Sequence, residues 1–335
     1  MNRREFLSLC GGLMLASELD AINLPYLRAD GSDSVDEKFN KLKLNIRPLE
    51  INVGATKPFK ALHVSDSHMT RADERDGERK MNLAAGRYRS FSRAEHYFDL
   101  QVRYAISKGL VMIHTGDMID FVSERNVEFI RSQLRVGEWL ASTGNHEYSL
   151  YVGEAKEDEA YKAQSRAKLQ KAYGDVCNVT FNSKVINGVN FVSVDDVYYN
   201  FTREQLELFK REVKKGLPIV MLCHVPLYTP EHCEANLKSN GGRCAYVTGA
   251  PLEITSKYQC DPSLPESEQW RNRSVQQFSD EPTLEFIAWL KEQPLLKAIL
   301  CGHCHHFYEE QFSPTAKQYI VGAGYTGDCY EISFK

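Results

Sequence analysis

The sequence predicts an α/β fold whose sheets are mixed rather than purely parallel. Short apolar runs bounded by turn residues recur along the chain, as buried strands do. Helix-start signals lie between several of these runs, and alternating strands and helices are typical of an α/β architecture. Two further runs, 178–186 and 189–194, flank Asn187-Gly188 and predict an antiparallel hairpin. The hairpin adds antiparallel pairing to the predicted sheet.

Five of the predicted strands end at a residue that can bind a metal or move a proton. After an edge strand near 42–53, these strands are 59–65 before Asp66, 110–115 before Gly116-Asp117, 138–143 before Gly144-Asn145-His146, 217–223 before His224, and 295–301 before Gly302-His303. In open α/β sheets, binding crevices form outside the carboxyl ends of the strands. We therefore expect these residues to converge on one crevice.

Three predicted helices have recognisable start signals. These are a capping box at Ser92 and Glu95 for a helix that runs to about Lys108 and stops at Gly109, a capping box at Thr202 and Gln205, and Pro282 in a first helical turn. Two polar stretches interrupt the pattern. Residues 71–93 contain seven basic and four acidic side chains, and 227–281 is a long polar segment of the kind that often forms a functional loop.

Composition excludes several classes of protein. The 335 residues include 41 basic and 45 acidic side chains, which give a net charge of −4 and no global electrostatic argument for nucleic acid as a partner. The longest apolar run, 6–16, falls short of the ~20 residues that cross a bilayer, so no transmembrane segment is predicted. That run follows Arg3-Arg4, a pattern similar to a twin-arginine export signal.

The predicted organisation follows from these observations. Residues 1–21 are an export signal, which predicts that the protein reaches a bacterial periplasm or the cell surface. Residues 22–57 form a linker and the edge strand. Residues 58–335 form a single domain that carries the polar insert 227–281.

The polar residues at the strand ends suit a pair of divalent cations. They are Asp66, His68, Asp117, Asn145, His146, His224, His303 and His305. Carboxylate and imidazole ligands together suit iron, manganese or zinc. One tetrahedral zinc ion needs only three or four ligands. Eight candidates are too many for one ion and suit two ions, the arrangement that clamps a phosphoester during displacement.

The same residues resemble a known family in their order along the chain. Asp66-Ser67-His68, Gly116-Asp117, Gly144-Asn145-His146-Glu147, His224 and Gly302-His303-Cys304-His305 resemble the five motif blocks of the calcineurin-like metallophosphoesterase superfamily. The resemblance extends from residue 59 to about 310. It implies a four-layer α/β/β/α sandwich of two mixed sheets flanked by helices. It also implies hydrolysis of small-molecule phosphoesters, either phosphodiesters or a broad range of phosphomonoesters.

The resemblance also implies a role for each motif residue. Asp66, His68 and His305 would hold one divalent cation, whereas Asn145, His224 and His303 would hold the second, and Asp117 would bridge both. His146 would be catalytic rather than a ligand, and would face the substrate. A metal-bound hydroxide would be the nucleophile, because a divalent cation can lower the pKa of its water to about 7. The cations would be manganese, iron or zinc.

One position departs from the purple acid phosphatase branch of that superfamily. In that branch a tyrosine stands three residues after the Gly-Asp aspartate and binds ferric iron, but here Asp120 occupies this place. The ligand set therefore resembles the colourless branches, which include cyclic-nucleotide phosphodiesterases. Asp120 either orients a ligand from behind or is a solvated loop acid.

Three alternatives remain open from sequence. A catalytically silent binding or scaffold protein could have the same fold, although no ligand of the motifs is missing here. Cys301 and Cys304 could form a Cys/His zinc module or a redox pair with the neighbouring histidines. Finally, the basic stretch 71–93 could supply an arginine to the substrate phosphate, or it could be a solvated surface.

Overall fold

The computed structural model describes residues 42–152, 158–239, 245–254, 265 and 279–335. Within them the strands are β1 (Asn45–Ile51), β2 (Phe59–Val64), β3 (Val111–Thr115), β4 (Trp139–Ser142), β5 (Phe181–Ile186), β6 (Val189–Val194), β7 (Ile219–Leu222), β8 (Leu296–Cys301), β9 (Tyr308–Gln311), β10 (Lys317–Ile320) and β11 (Asp328–Phe334). The α-helices are α1 (Glu78–Phe91), α2 (Ala94–Lys108), α3 (Glu124–Gln133), α4 (Asn145–Tyr148), α5 (Glu159–Tyr173), α6 (Arg203–Val213), α7 (Pro230–Ser239) and α8 (Glu281–Lys291).

The strands form two mixed sheets. One has the order β1-β11-β2-β3-β4, in which only β11 and β2 pair antiparallel. The other has the order β5-β6-β7-β8-β10-β9, with parallel inner strands and an antiparallel strand at each edge. The ring of His224, just after β7, hydrogen-bonds the carbonyl of Thr115 at the end of β3. The carboxyl ends of both sheets therefore meet at one edge of the sandwich.

Three apolar cores hold four layers together. Residues from both sheets, such as Ile113 and Val220, fill the space between the sheets. On the outside of the five-stranded sheet a second core includes Phe98 of α2, and on the outside of the six-stranded sheet a third includes Phe286 of α8. β4 and β7 are covered on both faces and have no exposed position, which fits their mostly apolar sequences. The layers are α/β/β/α, as expected.

Several sequence predictions are confirmed at the level of single turns. Asn187 and Gly188, with φ of 47° and 79°, form the tight turn between the antiparallel strands β5 and β6. Thr202 and Gln205 cap α6 reciprocally, and Pro282 lies in the first turn of α8. In each case the conformation is determined by the residues themselves, so local reasoning was sufficient.

The predicted capping box at Ser92 is wrong. Ser92 has helical dihedral angles and ends α1, and α2 begins two residues later without a side-chain cap. Because a capping residue needs extended backbone, Ser92 cannot serve as one in this conformation. Glu95 instead accepts a hydrogen bond from Arg71, 2.6 Å from its Nε atom. The helix α1 itself, within the basic stretch, was not predicted, whereas Gly109 does end α2 in a left-handed conformation.

The carboxyl-terminal strands were also missed. β11 is an inner strand of the five-stranded sheet, between β1 and β2, and the edge strand β1 pairs with it in parallel. The sequence 328–334 follows a glycine-rich segment and gives no indication that its partners are β1 and β2, at the other end of the domain sequence. Its position depends on long-range pairing that periodicity does not report.

Three predicted segments lie wholly or partly outside the described residues. They are the export signal 1–21, the part 22–41 of the predicted linker, and about half of the insert 227–281. The described part of the insert includes α7 and residues 245–254. Among the helices that the structure describes, none combines the length and the apolar character needed to cross a membrane.

Candidate functional site

All the predicted site residues follow strands whose carboxyl ends meet at the same edge. Asp66 and His68 follow β2, Asp117 follows β3, Asn145 and His146 follow β4, His224 follows β7, and His303 and His305 follow β8. Six of the side chains form two groups of three, and Asp117 of the second group also approaches the first.

The first group consists of Asp66, His68 and His305. His305 Nε2 is 3.2 Å from Asp66 Oδ1 and 3.3 Å from His68 Nε2, and His68 Nε2 is 3.9 Å from Asp66 Oδ1. Candidate ligand atoms of all three residues lie within 4.8 Å of one another. Asp66 and His68 are buried, whereas the His305 side chain is 37% exposed and faces the opening of the site.

The second group consists of Asp117, His224 and His303. His224 Nε2 is 3.2 Å from Asp117 Oδ2 and 3.2 Å from His303 Nδ1. Asp117 Oδ2 is also 3.8 Å from His68 Nε2 in the first group. A single carboxylate oxygen of Asp117 therefore lies between the two groups.

Asn145 lies beside Asp117 and has an unsatisfied oxygen. It is the first residue of the short helix α4, and the next backbone N–H, of His146, donates to Asp117 Oδ1 at 2.8 Å. Asn145 Oδ1 and Asp66 Oδ1 are both buried, and neither accepts a well-aligned hydrogen bond from the described residues, although His305 Nε2 lies 3.2 Å from Asp66 Oδ1. Buried polar atoms are almost always paired, because an unpaired one is destabilising by roughly 1–3 kcal/mol. Two such oxygens in one cluster fit the ligand shell of cations.

Each candidate histidine ligand has its outward nitrogen occupied. The pairs are His68 Nδ1 with Asp120 Oδ1 at 3.0 Å, His224 Nδ1 with Thr115 O at 2.7 Å, His303 Nε2 with Tyr199 Oη at 3.1 Å, and His305 Nδ1 with Tyr325 Oη at 3.4 Å. Such partners fix the tautomer and the ring orientation of a metal-binding histidine. They leave Nε2 of His68, His224 and His305, and Nδ1 of His303, free to face the cluster.

His146 lies at the side of the first group rather than within it. Its Nδ1 atom hydrogen-bonds the Asp120 carbonyl at 2.7 Å and lies 3.2 Å from Asp120 Oδ1. Its ring packs edge-on against His68 at 4.7 Å. Because Nδ1 is occupied, Nε2 is the atom of His146 left to contact a substrate. His146, His68 and Asp117 also form a possible ligand trio, so its role as a non-ligand requires a direct test.

Asp120 is a buried partner of both histidines, which decides between the two roles considered for it. Its carboxylate has no exposed surface and contacts His68 and His146 at once, so it is not a solvated loop acid.

The charges at the centre favour bound cations. Burial is the largest single effect on Asp117 and would raise its pKa, but the nearby His224, His146 and His68 together hold that pKa well below its usual range. Burial likewise lowers the pKa of the His224 and His146 imidazoles, but the neighbours together outweigh it, chiefly Asp117 with Asp66 at His224 and Asp117 with Asp120 at His146. Their pKa values rise to about 10 for His224 and about 9 for His146. The carboxylate at the centre is thus strongly ionised and attracts positive charge.

Glu147 holds the loop that carries Asp117. Its Oε2 atom accepts the N–H groups of Asp117 and Gly144, both at 2.8 Å, and Oε1 accepts the N–H of Met118 at 2.7 Å. This glutamate belongs to the motif Gly144-Asn145-His146-Glu147, but no role was predicted for it from the sequence. A buried carboxylate three residues after a glycine could have been recognised as a capping group.

Asp196 does the same for His224 and was missed entirely. Its Oδ1 atom accepts the backbone N–H groups of His224 and Val225 at 3.1 and 3.2 Å, and Oδ2 accepts the Thr248 hydroxyl at 3.2 Å. Asp195 and Asp196 follow β6 directly. The pattern that revealed the other strand-end residues could therefore have identified this one.

Unusual backbone conformations are concentrated at the site. Asp66, His68, Asp117, His303 and His305 all have φ between 50° and 65°. Few residues other than glycine adopt this left-handed region, and such outliers cluster at functional sites. Backbone hydrogen bonds between the strand ends, such as Asp66 N to Gly116 O at 3.0 Å, hold them in place.

The Cys301 and Cys304 thiols do not join either group. Cys301 is fully buried in the core outside the six-stranded sheet, whereas Cys304 Sγ contacts the Tyr246 carbonyl and the Asn236 amide. His303 and His305 instead face the aspartates. Among the residues that the structure describes, the groups able to hold a metal contain only aspartate and histidine. This geometry does not support a Cys/His zinc module.

The insert packs against the loop between β8 and β9. His232 of α7 stacks on Tyr308 at 4.8 Å, and Tyr246 packs edge-on against the ring of His303 at 5.4 Å. The described part of the insert therefore forms one wall of the site next to the second group.

The family model for calcineurin-like phosphoesterases matches residues 59–307 of this chain. The match spans every strand end described above. Members of this family act at centres of two metal ions, and the two aspartate–histidine groups are consistent with such a centre. No curated protein matches the chain.

Solved structures with a similar fold are distant in sequence. A protein described as a 5′-nucleotidase from Staphylococcus aureus is 12% identical with a TM-score of 0.39, over 80% of this chain and 49% of the other. A 5′-nucleotidase from Candida albicans is 13% identical with a TM-score of 0.37, over 84% and 47%. A dimetal phosphatase from Danio rerio is 11% identical with a TM-score of 0.44, over 81% and 89%. This chain thus spans about half the length of the two nucleotidases, and nothing about its substrate follows from them.

Proposed function

This chain belongs to the calcineurin-like phosphoesterase family, and from that premise we propose that it hydrolyses a small-molecule phosphoester at a centre of two divalent cations. Asp66, His68 and His305 would hold one cation. Asn145, His224 and His303 would hold the other, and Asp117 would bridge both. The observation that carries this proposal is the position of Asp117 Oδ2, 3.2 Å from His224 Nε2 in one group and 3.8 Å from His68 Nε2 in the other.

The cations, when bound, would supply charge that stabilises the phosphoryl oxygens and lowers the pKa of a water molecule. Their identity is proposed from the ligand chemistry as manganese, iron or zinc, because mixed carboxylate and imidazole sets suit these ions. Asp120 at the position of the purple-enzyme tyrosine argues against a ferric-tyrosinate centre.

His146 is proposed as the catalytic residue that contacts the substrate. Asp120 holds its Nδ1 atom through both a backbone carbonyl and a carboxylate oxygen, at 2.7 and 3.2 Å. The ring is thereby fixed with Nε2 directed away from Asp120. A protonated imidazole in this position can stabilise a phosphoryl oxygen or donate a proton to the leaving alcohol.

We also propose that the protein is exported, to a bacterial periplasm or the cell surface. Support comes from Arg3-Arg4 and the short apolar run that follows. Cleavage and export can be measured by fractionating cells and sequencing the amino terminus of the recovered protein.

The test of the proposed function compares two chromogenic esters. Purified protein is stripped with a chelator, reloaded separately with Mn²⁺, Fe²⁺ or Zn²⁺, and assayed with 4-nitrophenyl phosphate and bis(4-nitrophenyl) phosphate. We expect cation-dependent turnover of at least one ester, and the preferred ester identifies the substrate class. Asp117→Asn, purified in parallel, controls for contaminating phosphatases. Two bound cations without turnover of either ester would favour the silent binding protein instead.

A further inference from the structure

Arg87, a basic residue of the stretch 71–93, reaches the site. It lies on α1, and its guanidinium donates two parallel hydrogen bonds to the Asp120 carboxylate, from Nε to Oδ2 at 2.6 Å and from Nη2 to Oδ1 at 2.8 Å. The same group stacks over the ring of Phe91 at 4.9 Å, and Phe91 in turn stacks on His68 at 4.6 Å. Two independent contacts therefore join Arg87 to the residues around the first group.

Other basic side chains of this stretch have partners elsewhere. Arg71 pairs with Glu95, Arg75 pairs with Asp73 and Glu128, and Lys80 donates to the Val122 carbonyl. None of these partners contacts a candidate ligand within the described part of the chain. The sequence left open whether this stretch supplies a functional arginine or is a solvated surface. Arg87 fits the first interpretation, whereas Arg75 fits the second.

Asp120 is the reason that the position of Arg87 matters. One of its oxygens, Oδ1, lies within hydrogen-bond distance of His68 Nδ1, of His146 Nδ1 and of the guanidinium. Rotation of this carboxylate would break contacts to a proposed ligand and to the proposed catalytic residue together. A two-point contact with a planar guanidinium resists that rotation, because both oxygens are held in one plane.

Charge leads to the same conclusion. Asp120 is fully buried, and a buried carboxylate is stable only where a counter-charge and hydrogen bonds compensate it. Besides the imidazoles of His68 and His146, it contacts the guanidinium of Arg87. An arginine, which stays charged at every relevant pH, compensates Asp120 and leaves both imidazoles to their proposed roles.

We propose that Arg87 is a positioning residue for this centre. It acts through Asp120 to fix the rings of His68 and His146, and it does not bind the substrate itself. The proposal rests on the proposed function for its catalytic part. Its cation-binding part can be measured on protein that shows no turnover at all.

The experiment compares Arg87→Ala and Arg87→Lys with the wild type. Arg75→Ala is the matched control. It also removes an arginine that donates two hydrogen bonds to a carboxylate, that of Glu128, but this pair is exposed and lies away from the site. For each protein the readouts are the Mn²⁺ affinity by competition with a chelator, kcat and KM with the better ester, and rescue by millimolar guanidinium chloride. Circular dichroism establishes that each variant is folded.

We expect Arg87→Ala to bind one of the two cations about 10–100-fold more weakly, the loss typical of a disturbed outer partner of a metal ligand. We expect kcat to fall with KM changed by less than about threefold, since ground-state binding is not involved. Guanidinium should restore part of both losses in Arg87→Ala and none in Asp120→Asn. Lysine should not substitute, because an ammonium cannot form the fork.

Four outcomes would overturn the proposal. A rise in KM with kcat unchanged would mean that Arg87 binds the substrate. Wild-type cation affinity and wild-type kcat in Arg87→Ala would mean that the contact between Arg87 and Asp120 has no role in the site. Full activity in Arg87→Lys would show that charge alone is sufficient. If Arg87→Ala does not fold, unchanged cation affinity in Arg87→Lys would likewise overturn the proposal.

Discussion

The substitution Gly302→Ala tests whether the site depends on close contact between the two sheets. Gly302 follows β8, and its N–H donates to the His224 carbonyl at 3.0 Å. A Cβ atom at this position would lie 1.9 Å from Ser65 Oγ and 2.4 Å from Asp66 Oδ2, whereas real Cβ contacts are essentially never under 3.0 Å. The backbone angle is not the obstacle, because its φ lies outside the left-handed region. The methyl group alone is the perturbation.

The expected effect follows from these distances. Asp66 Oδ2 would have to move by at least ~0.6 Å to escape the methyl group, more than the ~0.5 Å within which a site must be held to function. The same oxygen accepts the His303 N–H at 2.9 Å, so one displacement disturbs a proposed ligand in each group. Overpacking of this kind typically destabilises a protein by about 1–3 kcal/mol. We expect cation affinity to fall at least about 10-fold, with the fold retained.

Calorimetric titration of chelator-stripped protein with Mn²⁺, together with urea unfolding of the same samples, measures both effects. Gly86→Ala is the matched control, since Gly86 lies inside α1 with nothing within 4 Å of the added methyl group. It should raise stability by about 0.5–1 kcal/mol and leave cation binding unchanged. If Gly302→Ala bound two cations with wild-type affinity, the argument from close contact would be refuted.

Three further substitutions test single roles. Asp117→Asn should lose cation binding and turnover together, because the shared carboxylate charge is removed. Elemental analysis and ester hydrolysis measure the two effects. Two cations retained at full activity would contradict the bridging role. His146→Ala should keep two cations but lower kcat by about 10²–10⁴-fold, the usual range for a lost acid or base; loss of one cation would instead make His146 a ligand. Lys162→Met removes a buried Nζ atom 2.9 Å from Asp195 Oδ2 and should destabilise the fold by about 3–5 kcal/mol in urea unfolding. Lys210→Met, at an exposed pair with Glu207, should change stability by less than about 1 kcal/mol and is its control.

The part of the site that sequence predicted well is the part that depends on strand ends. Asp66, Asp117 and His224 each follow an apolar run, and parallel strands bring their carboxyl ends to one edge regardless of loop detail. The two-sheet sandwich was expected from the family resemblance, and the hairpin at Asn187-Gly188 from turn chemistry. Each of these conclusions depends on a short segment or on an ordered set of motifs.

The residues that were not predicted from the sequence are not ligands themselves but hold a ligand, its loop or its partner in place. Glu147 holds the Asp117 loop, Tyr199 holds His303, and Arg87 holds Asp120. Glu147 could have been recognised from its capping position, but the roles of Tyr199 and Arg87 depend on which loop or helix passes behind a ligand, and periodicity does not report this. Arg87 illustrates the limit: its stretch was recognised as unusual, but α1 was not predicted, so no single arginine could be selected.

Several proposed ligands have a strained backbone, and contacts between the two sheets hold them in that conformation. Left-handed backbone is unfavourable for a residue with a side chain by roughly 1–2 kcal/mol, and five proposed ligands adopt it. Two buried oxygens, on Asp66 and Asn145, also accept no well-aligned hydrogen bond from the described residues, although the Asp66 oxygen lies 3.2 Å from His305 Nε2. Hydrogen bonds that join the loops oppose this strain, among them those from Gly302 to His224 and from His303 to Asp66. The strand ends of the two sheets therefore support one another, and cations bound between them would satisfy the same two oxygens. The site and the junction of the two sheets are thus one structural feature, which is why a methyl group at Gly302 is expected to affect both.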